Sequence, residues 1–242
     1  MTPVTARARS ATLFGLGLFV AGCLQLAPGA AAEMAVKIPL LADTAVSESK
    51  APQETVVFAG GCFWGVQGVF QHTRGVLQAV SGYAGGSKAT AVYELVGTGM
   101  TGHAEAVQIS FDPKQVSYAQ LLQIYFSVAH DPTQLNRQGP DRGTQYRSAV
   151  FYTDASQKAA TERYIAQLDA AKVFPAKIVT QVVPLPSFYA AENYHQDYAT
   201  LHPGSRYIAT FDLPKIANLK RLYAPLYRAD PVLVVTRAGA AK

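Results

Sequence analysis

The run TVVFAGG (residues 55–61) passes directly into CFWGVQGVFQH, where the apolar positions Phe63, Val66, Val69 and Phe70 recur at helical spacing. The change from a strand to a helix takes place across two glycines. That junction constrains the fold more than any other stretch of the chain. A buried strand that feeds straight into a helix implies a sheet with the helix packed back upon it. It also places Cys62 at a helix N-terminus, where backbone N–H groups lack partners and the dipole is positive. A thiolate there is stabilised, so the expectation is a Cys62 pKa lowered toward neutrality. Gly60 and Gly61 permit the tight turn and leave the sulfur uncovered.

The remaining pattern extends this scheme. Residues 75–86 read as a strand and then a loop. Residues 103–113 alternate strongly and end in Asp-Pro, the mark of a strand that stops. A helix is expected over residues 117–129 with Ser117 as N-cap. A long polar loop, DPTQLNRQGPDRGTQ, comes next, and then a strand over 146–153. A helix over 154–172 is capped by Asp154 or Ser156, and residues 176–185 read as a strand. Residues 192–203 suggest a short helix or turns, and the pattern weakens beyond. Strands and helices alternate irregularly, so the expected class is α+β, with helices packed on a mostly antiparallel or mixed sheet. The catalytic domain is expected over 54–210, after a linker over 33–53 and before an irregular C-terminal extension over 211–242.

Half of the 242 residues are apolar (49%), which suits a globular core rather than a disordered chain. The net charge of +5 includes Arg7 and Arg9 near the start. No basic run or aromatic-interleaved basic stripe appears, so nucleic acid is not an expected partner. The first 32 residues read as an export leader. Arg7 and Arg9 precede an apolar stretch, and Ala30-Ala31-Ala32 offers a cleavage site before Glu33. The alternative is a lipobox, Val20-Ala21-Gly22-Cys23, with lipidation at Cys23 as the only route to a membrane. Either exit places the protein in the periplasm or cell envelope and removes Cys23 from the thiol pool. One thiol, Cys62, then stands alone in an oxidising compartment, which suggests a reactive cysteine or an intermolecular pairing.

A nucleophile needs an acid nearby. Glu105, flanked by Ala104 and Ala106 on a strand, is expected to be partly buried, with a raised pKa and a proton to donate. Phe63 and Trp64 cannot both face inward on a helix, so at least one should flank the sulfur and offer an apolar wall to a methyl group. The histidines show no metal-ligand spacing with cysteine support, so no metal is expected. His195 and its neighbours Tyr194 and Asp197 receive no chemical role.

GGCFWG, YELVGTGMTGHAEAV, HDPTQLNRQGPDRGTQYRSAVF and ENYHQDY, in that order, together resemble the A-type peptide methionine sulfoxide reductases. The resemblance spans roughly residues 54–210. It implies a compact two-layer α/β sandwich of ferredoxin-like kind. It implies reduction of the S epimer of methionine sulfoxide, free or within proteins. Cys62 matches the family's nucleophile, and Phe63 and Trp64, with Gly61 beside them, match the pocket for the substrate's methyl group. Glu105 matches the acid that protonates the sulfoxide oxygen, Tyr93 and Tyr146 the hydroxyls that bond it, and Asp141 a carboxylate that organises water near the sulfur. No bound cofactor is implied. Many relatives carry further cysteines that convert the resulting sulfenic acid to a disulfide for thioredoxin. None follows Cys62 here, so the expected reductant is an external thiol, a thioredoxin-like protein or a small molecule. A monomer is expected. The rival readings are a papain-like hydrolase using Cys62 and His195, which the local signature does not favour, and a secreted binding module with a structural cysteine.

Overall fold

The computed structural model of the chain describes Met1, residues 35–42 and residues 51–234. The expected leader, Cys23 and the lipobox lie outside the described residues. Strand β1 (Glu54–Gly60) leads through Gly61 and Cys62 into helix α1 (Phe63–Gln71), as the change of period predicts. Strand β2 (Val76–Ala84), the single turn α2 (Tyr93–Val96) and strand β3 (Ala104–Phe111) follow. Helix α3 (Tyr118–Ile124) opens on a full capping box. Ser117 Oγ accepts the Gln120 N–H, and the Gln120 side chain accepts the Ser117 N–H. The helix then widens into a π-turn over Tyr125–Ala129.

The polar loop is more ordered than its composition suggests. It holds a two-stranded ribbon, β4 (Arg137–Gln138) with β5 (Asp141–Arg142), and a 3-10 turn over Thr144–Tyr146. Strand β6 (Ser148–Tyr152) comes next. Helix α4 (Ala155–Ala170) is capped by Asp154, which accepts the N–H groups of Ser156 and Gln157. Strands β7 (Gln181–Pro184) and β8 (Phe188–Ala190) and the short helix α5 (Tyr198–Leu201) precede helix α6 (Leu213–Leu222). Strand β7 is shorter than its sequence pattern at its start, where the Ile178 and Val179 N–H groups donate to Asp169 Oδ1 and the Pro132 carbonyl instead of to the sheet.

The six-stranded sheet runs β7-β6-β1-β3-β2-β8. All neighbours are antiparallel except β6 and β7. Its four central strands follow the β6-β1-β3-β2 order of a βαββαβ ferredoxin-like unit, with α1 and α3 as the two crossover helices. The α+β class and the mixed sheet are as expected.

Two segments differ from expectation. The stretch read as a linker includes residues 36–41, which pack on the helical layer with Ile38 and Leu41 buried. The stretch read as an irregular extension contains α6, whose Leu219 belongs to the main core together with Tyr223. Prolines break the apolar pattern of both, at Pro39 in the first and at Pro214, Pro225 and Pro231 in the second, so each is short and is held by the surface it meets.

Candidate active site

Cys62 is the residue before α1, and its neighbour Gly61 adopts φ +87°, a left-handed conformation open to glycine. A Cβ at Gly61 would come within 2.5 Å of the Gln138 side chain. That side chain is fixed by two hydrogen bonds to the Asp131 backbone. The glycine therefore lets the ribbon loop close over the strand–helix junction. The end of β1 is held from the other side by Tyr125, whose hydroxyl donates to the Ala59 carbonyl at 2.7 Å.

Around the sulfur lies a cavity of about 200 Å³ lined by Cys62, Phe63, Trp64, Tyr93, Glu105, Asp141, Tyr146 and Tyr207. Seven of these are the residues singled out in the sequence. They come from the junction and first turn of α1, from α2, from β3, from β5 and from the 3-10 turn before β6. Gly61 shapes the junction and does not line the cavity. Glu105 is buried, and its Oε2 accepts the Phe63 N–H at 3.0 Å, which ties the acid to the helix that carries the sulfur. Burial pushes its carboxyl up to about 8, against the opposing pull of that N–H. Burial also raises the phenols of Tyr93 and Tyr146, with the Glu105 charge adding to both, so each keeps its proton.

The Cys62 thiol departs from the expectation of a lowered pKa. Its burial raises the value well above that of a free thiol, and the charges of Glu105, Asp212 and Asp141 add to the effect. The hydrogen bond from the Trp64 N–H pulls the other way and is outweighed. The residue is only 8% exposed, so loss of water outweighs the favourable helix end. In the free protein burial favours the protonated Cys62 thiol over a standing thiolate.

Sequence reasoning missed Tyr207 and Asp212. Tyr207 lines the cavity, meets Trp64 edge to face and donates a short hydrogen bond to Asp141 Oδ2. Its surroundings in sequence, SRYIATFD, have no usable period. Asp212 is fully buried against α1, with its carboxyl held at about 6 by burial against the pull of Lys215, whose ammonium lies 3.4 Å away. One signal was present: Pro214, directly after Asp212 and Leu213, marks a helix start. Among the described residues, no group of three or more His, Cys, Asp or Glu side chains is placed to hold a metal ion. No helix among them is long and apolar enough to cross a membrane.

Residues 54–224 match the family model described as peptide methionine sulfoxide reductase. The peptide methionine sulfoxide reductase MsrA 2 of Mesorhizobium japonicum is 62% identical over 195 residues, covering 80% of this chain and all of the relative. The MsrA 2 of Synechocystis sp. is 46% identical over 192 residues, 79% of this chain and 90% of that one. Among solved structures, the methionine sulfoxide reductase A of Corynebacterium diphtheriae aligns with a TM-score of 0.55 at 33% identity, covering 71% of this chain and 85% of that one. Mxr1 of Saccharomyces cerevisiae in reduced form aligns with a TM-score of 0.60 at 31% identity, covering 67% and 92%. The chain belongs to the peptide methionine sulfoxide reductases, oxidoreductases that return methionine sulfoxide to methionine.

Proposed function

We propose that the protein reduces the S epimer of methionine sulfoxide, free or in proteins, by attack of the Cys62 sulfur on the sulfoxide sulfur. The observation that carries this is the convergence on one small cavity of a thiol, a protonated carboxylic acid, two phenolic donors and an aromatic wall. A sulfoxide sulfur becomes electrophilic when its oxygen is protonated or strongly hydrogen-bonded. Glu105 supplies the proton, and Tyr93 and Tyr146 supply the hydrogen bonds. Phe63 and Trp64 receive the methyl group, which fixes the face that the sulfur presents. The activated sulfur carries positive charge toward Cys62, and a nearby positive charge lowers a thiol's pKa, so substrate binding itself releases the nucleophile.

The oxygen passes to Cys62. The sulfoxide sulfur gains two electrons and departs as the thioether, while Cys62 becomes a sulfenic acid. Neither Cys23 nor any residue after Cys62 is available to form an internal disulfide once the leader is cut, since the chain has only these two cysteines. An external thiol then displaces water from the sulfenic acid and forms a mixed disulfide. A second thiol releases Cys62 and leaves as the oxidised disulfide. A thioredoxin-like protein or a small thiol fits this role. The basic start, apolar stretch and Ala30-Ala31-Ala32 support export, with repair of oxidised envelope proteins as the task.

Intact mass of the mature protein tests this. It is measured after a single exposure to the S or R epimer of an N-acetyl methionine sulfoxide, without reductant. A gain of one oxygen with the S epimer only, absent in Cys62→Ser, is the expected result. No gain and no methionine with either epimer would sink the mechanism. The starting mass reports where the leader is cut, and an internal disulfide would show that Cys23 survives.

A further inference from the structure

His195 closes the 3-10 turn Asn193–His195 and is the hub of the pocket's aromatic wall. Its ring centroid lies 4.3 Å from Tyr93, 5.1 Å from Phe63 and 5.8 Å from Trp64. The Trp64 Nε1–H donates to His195 Nδ1 at 3.2 Å. An indole nitrogen only donates, so Nδ1 carries a lone pair and the proton of the neutral imidazole sits on Nε2. That Nε2 is buried without a hydrogen-bond partner among the described residues, 4.0 Å from Glu192 Oε2. Glu192 is already engaged. It accepts the Tyr83 hydroxyl at 2.8 Å and the Tyr93 N–H at 3.0 Å. One short segment thus holds the start of α2 through Glu192 and the indole of Trp64 through His195.

We propose that His195 is a positioning residue that orients Trp64 by accepting its indole N–H, and that it does so only as the neutral, Nε2-protonated imidazole. Protonation places a second N–H on Nδ1, so two donors face each other and the hold on Trp64 is lost, while Nε2 is drawn toward Glu192. The groups that face the ring are Glu192 and Tyr194 from its own turn, Tyr93 and Glu94 from α2, and Phe63 and Trp64 from α1. Burial keeps the imidazole below its usual value, against the weaker pull of the Glu192 and Glu94 carboxylates. The neutral form therefore prevails at pH 7, and the hold fails in acid. The consequence for catalysis rests on the proposed role of Trp64 as a wall for the substrate's methyl group.

Trp64 is the only tryptophan of the chain, so the fluorescence of the full protein reports on this one indole. The expected result is a single acid transition in its emission, with a midpoint below the ~6.5 of free imidazole. His195→Asn keeps an acceptor near the Nδ1 position but cannot titrate, and the transition should disappear. His195→Leu removes the acceptor at every pH. Its emission at neutral pH should resemble the acid form, and its KM for the sulfoxide should rise roughly tenfold with a smaller change in kcat. The asparagine should recover most of that loss. Wild-type emission that stays flat from about pH 8 down to the onset of acid unfolding, or an unchanged transition in His195→Asn, overturns the proposal. If the transition is present and is lost in His195→Asn while KM stays unmoved in His195→Leu, the hold on Trp64 stands and the role of Trp64 as a substrate wall falls. Should the leucine variant not fold, the wild-type and asparagine titrations decide the matter alone.

Discussion

Glu105 carries the clearest pH signature of any single residue. Its carboxyl titrates at about 8, against 4.5 in water. A general acid works in its protonated form, so kcat/KM should hold through neutrality and fall above that value. The same shift has a definite sign in stability. Between pH 4.5 and about 8 the unfolded chain has ionised Glu105 while the folded protein keeps the proton. Folding then takes up a proton, and stability falls as the pH rises through that window. A glutamine at this position still accepts the Phe63 N–H and has no proton to lose. Glu105→Gln should therefore lower kcat by roughly 10²- to 10⁴-fold. It should also stabilise the fold by on the order of a few kcal/mol near pH 8 and by little near pH 4.5. Urea unfolding at the two pH values checks this, and an equal effect at both would show that the carboxyl is not held protonated. Glu105 was legible because small apolar neighbours on an alternating strand imply burial. The Cys62 thiol was not, because its burial, the main cause of its raised pKa, is completed by residues distant in sequence such as Tyr207, and the smaller effect of Asp212 likewise depends on the packing of the segment entering α6.

At the scale of elements, the contact between α1 and the segment entering α6 decides how tightly that surrounding is held. A Cβ at Gly65 would lie 2.1 Å from Asp212 Oδ1 and 2.8 Å from its Cγ. Gly65 is thus the point where a buried carboxyl meets the first turn of the helix that follows Cys62. An alanine in a helix ordinarily gains about 1 kcal/mol over glycine. Here overpacking should outweigh that gain, so Gly65→Ala is expected to destabilise by about 1–3 kcal/mol. In an Asp212→Ala background the clash is gone, and the same change should become neutral or favourable. A double-mutant cycle by denaturant unfolding measures the difference, and additive effects would show that the two positions do not touch. The four central strands and helices α1, α3 and α4 were legible because each carries its own period, and α3 and α4 also carry caps, Ser117 and Asp154. The π-turns at Tyr125–Ala129 and Ile208–Asp212 were not, because no residue pattern marks a widened turn. Their effect is long-range: Tyr125 reaches β1 and Asp212 reaches α1.

Across the whole molecule, three stretches far apart in sequence share one core, and the N-terminal arm shows how. Residues 36–42 lie across the helical layer and bond almost entirely to side chains of other elements. The Ile38 carbonyl accepts from Gln123 at 2.8 Å, the Pro39 carbonyl from Tyr164 at 2.5 Å and the Leu40 carbonyl from Gln167 at 2.9 Å. The Ile38 N–H donates to the Tyr223 hydroxyl beyond α6 at 3.3 Å, so the arm links α3 and α4 to the C-terminal segment. The arm forms no ladder with the sheet. Its order therefore depends on burying Ile38 and Leu41, which are 3% and 4% exposed. Truncating a buried isoleucine to alanine costs about 2–5 kcal/mol, the larger part where the cavity cannot collapse. An arm held at one edge relaxes more readily than a central strand, which places Ile38→Ala at the lower end, about 2 kcal/mol. For a domain of this size that lowers the melting midpoint by roughly 4–8 °C. Because the arm, α6 and the sheet bury into the same core, the loss should appear as a shift of one cooperative transition followed by both Trp64 emission and far-UV dichroism. Two separated transitions, or an unmoved midpoint, would mean that the arm rests on the surface without belonging to the folding unit.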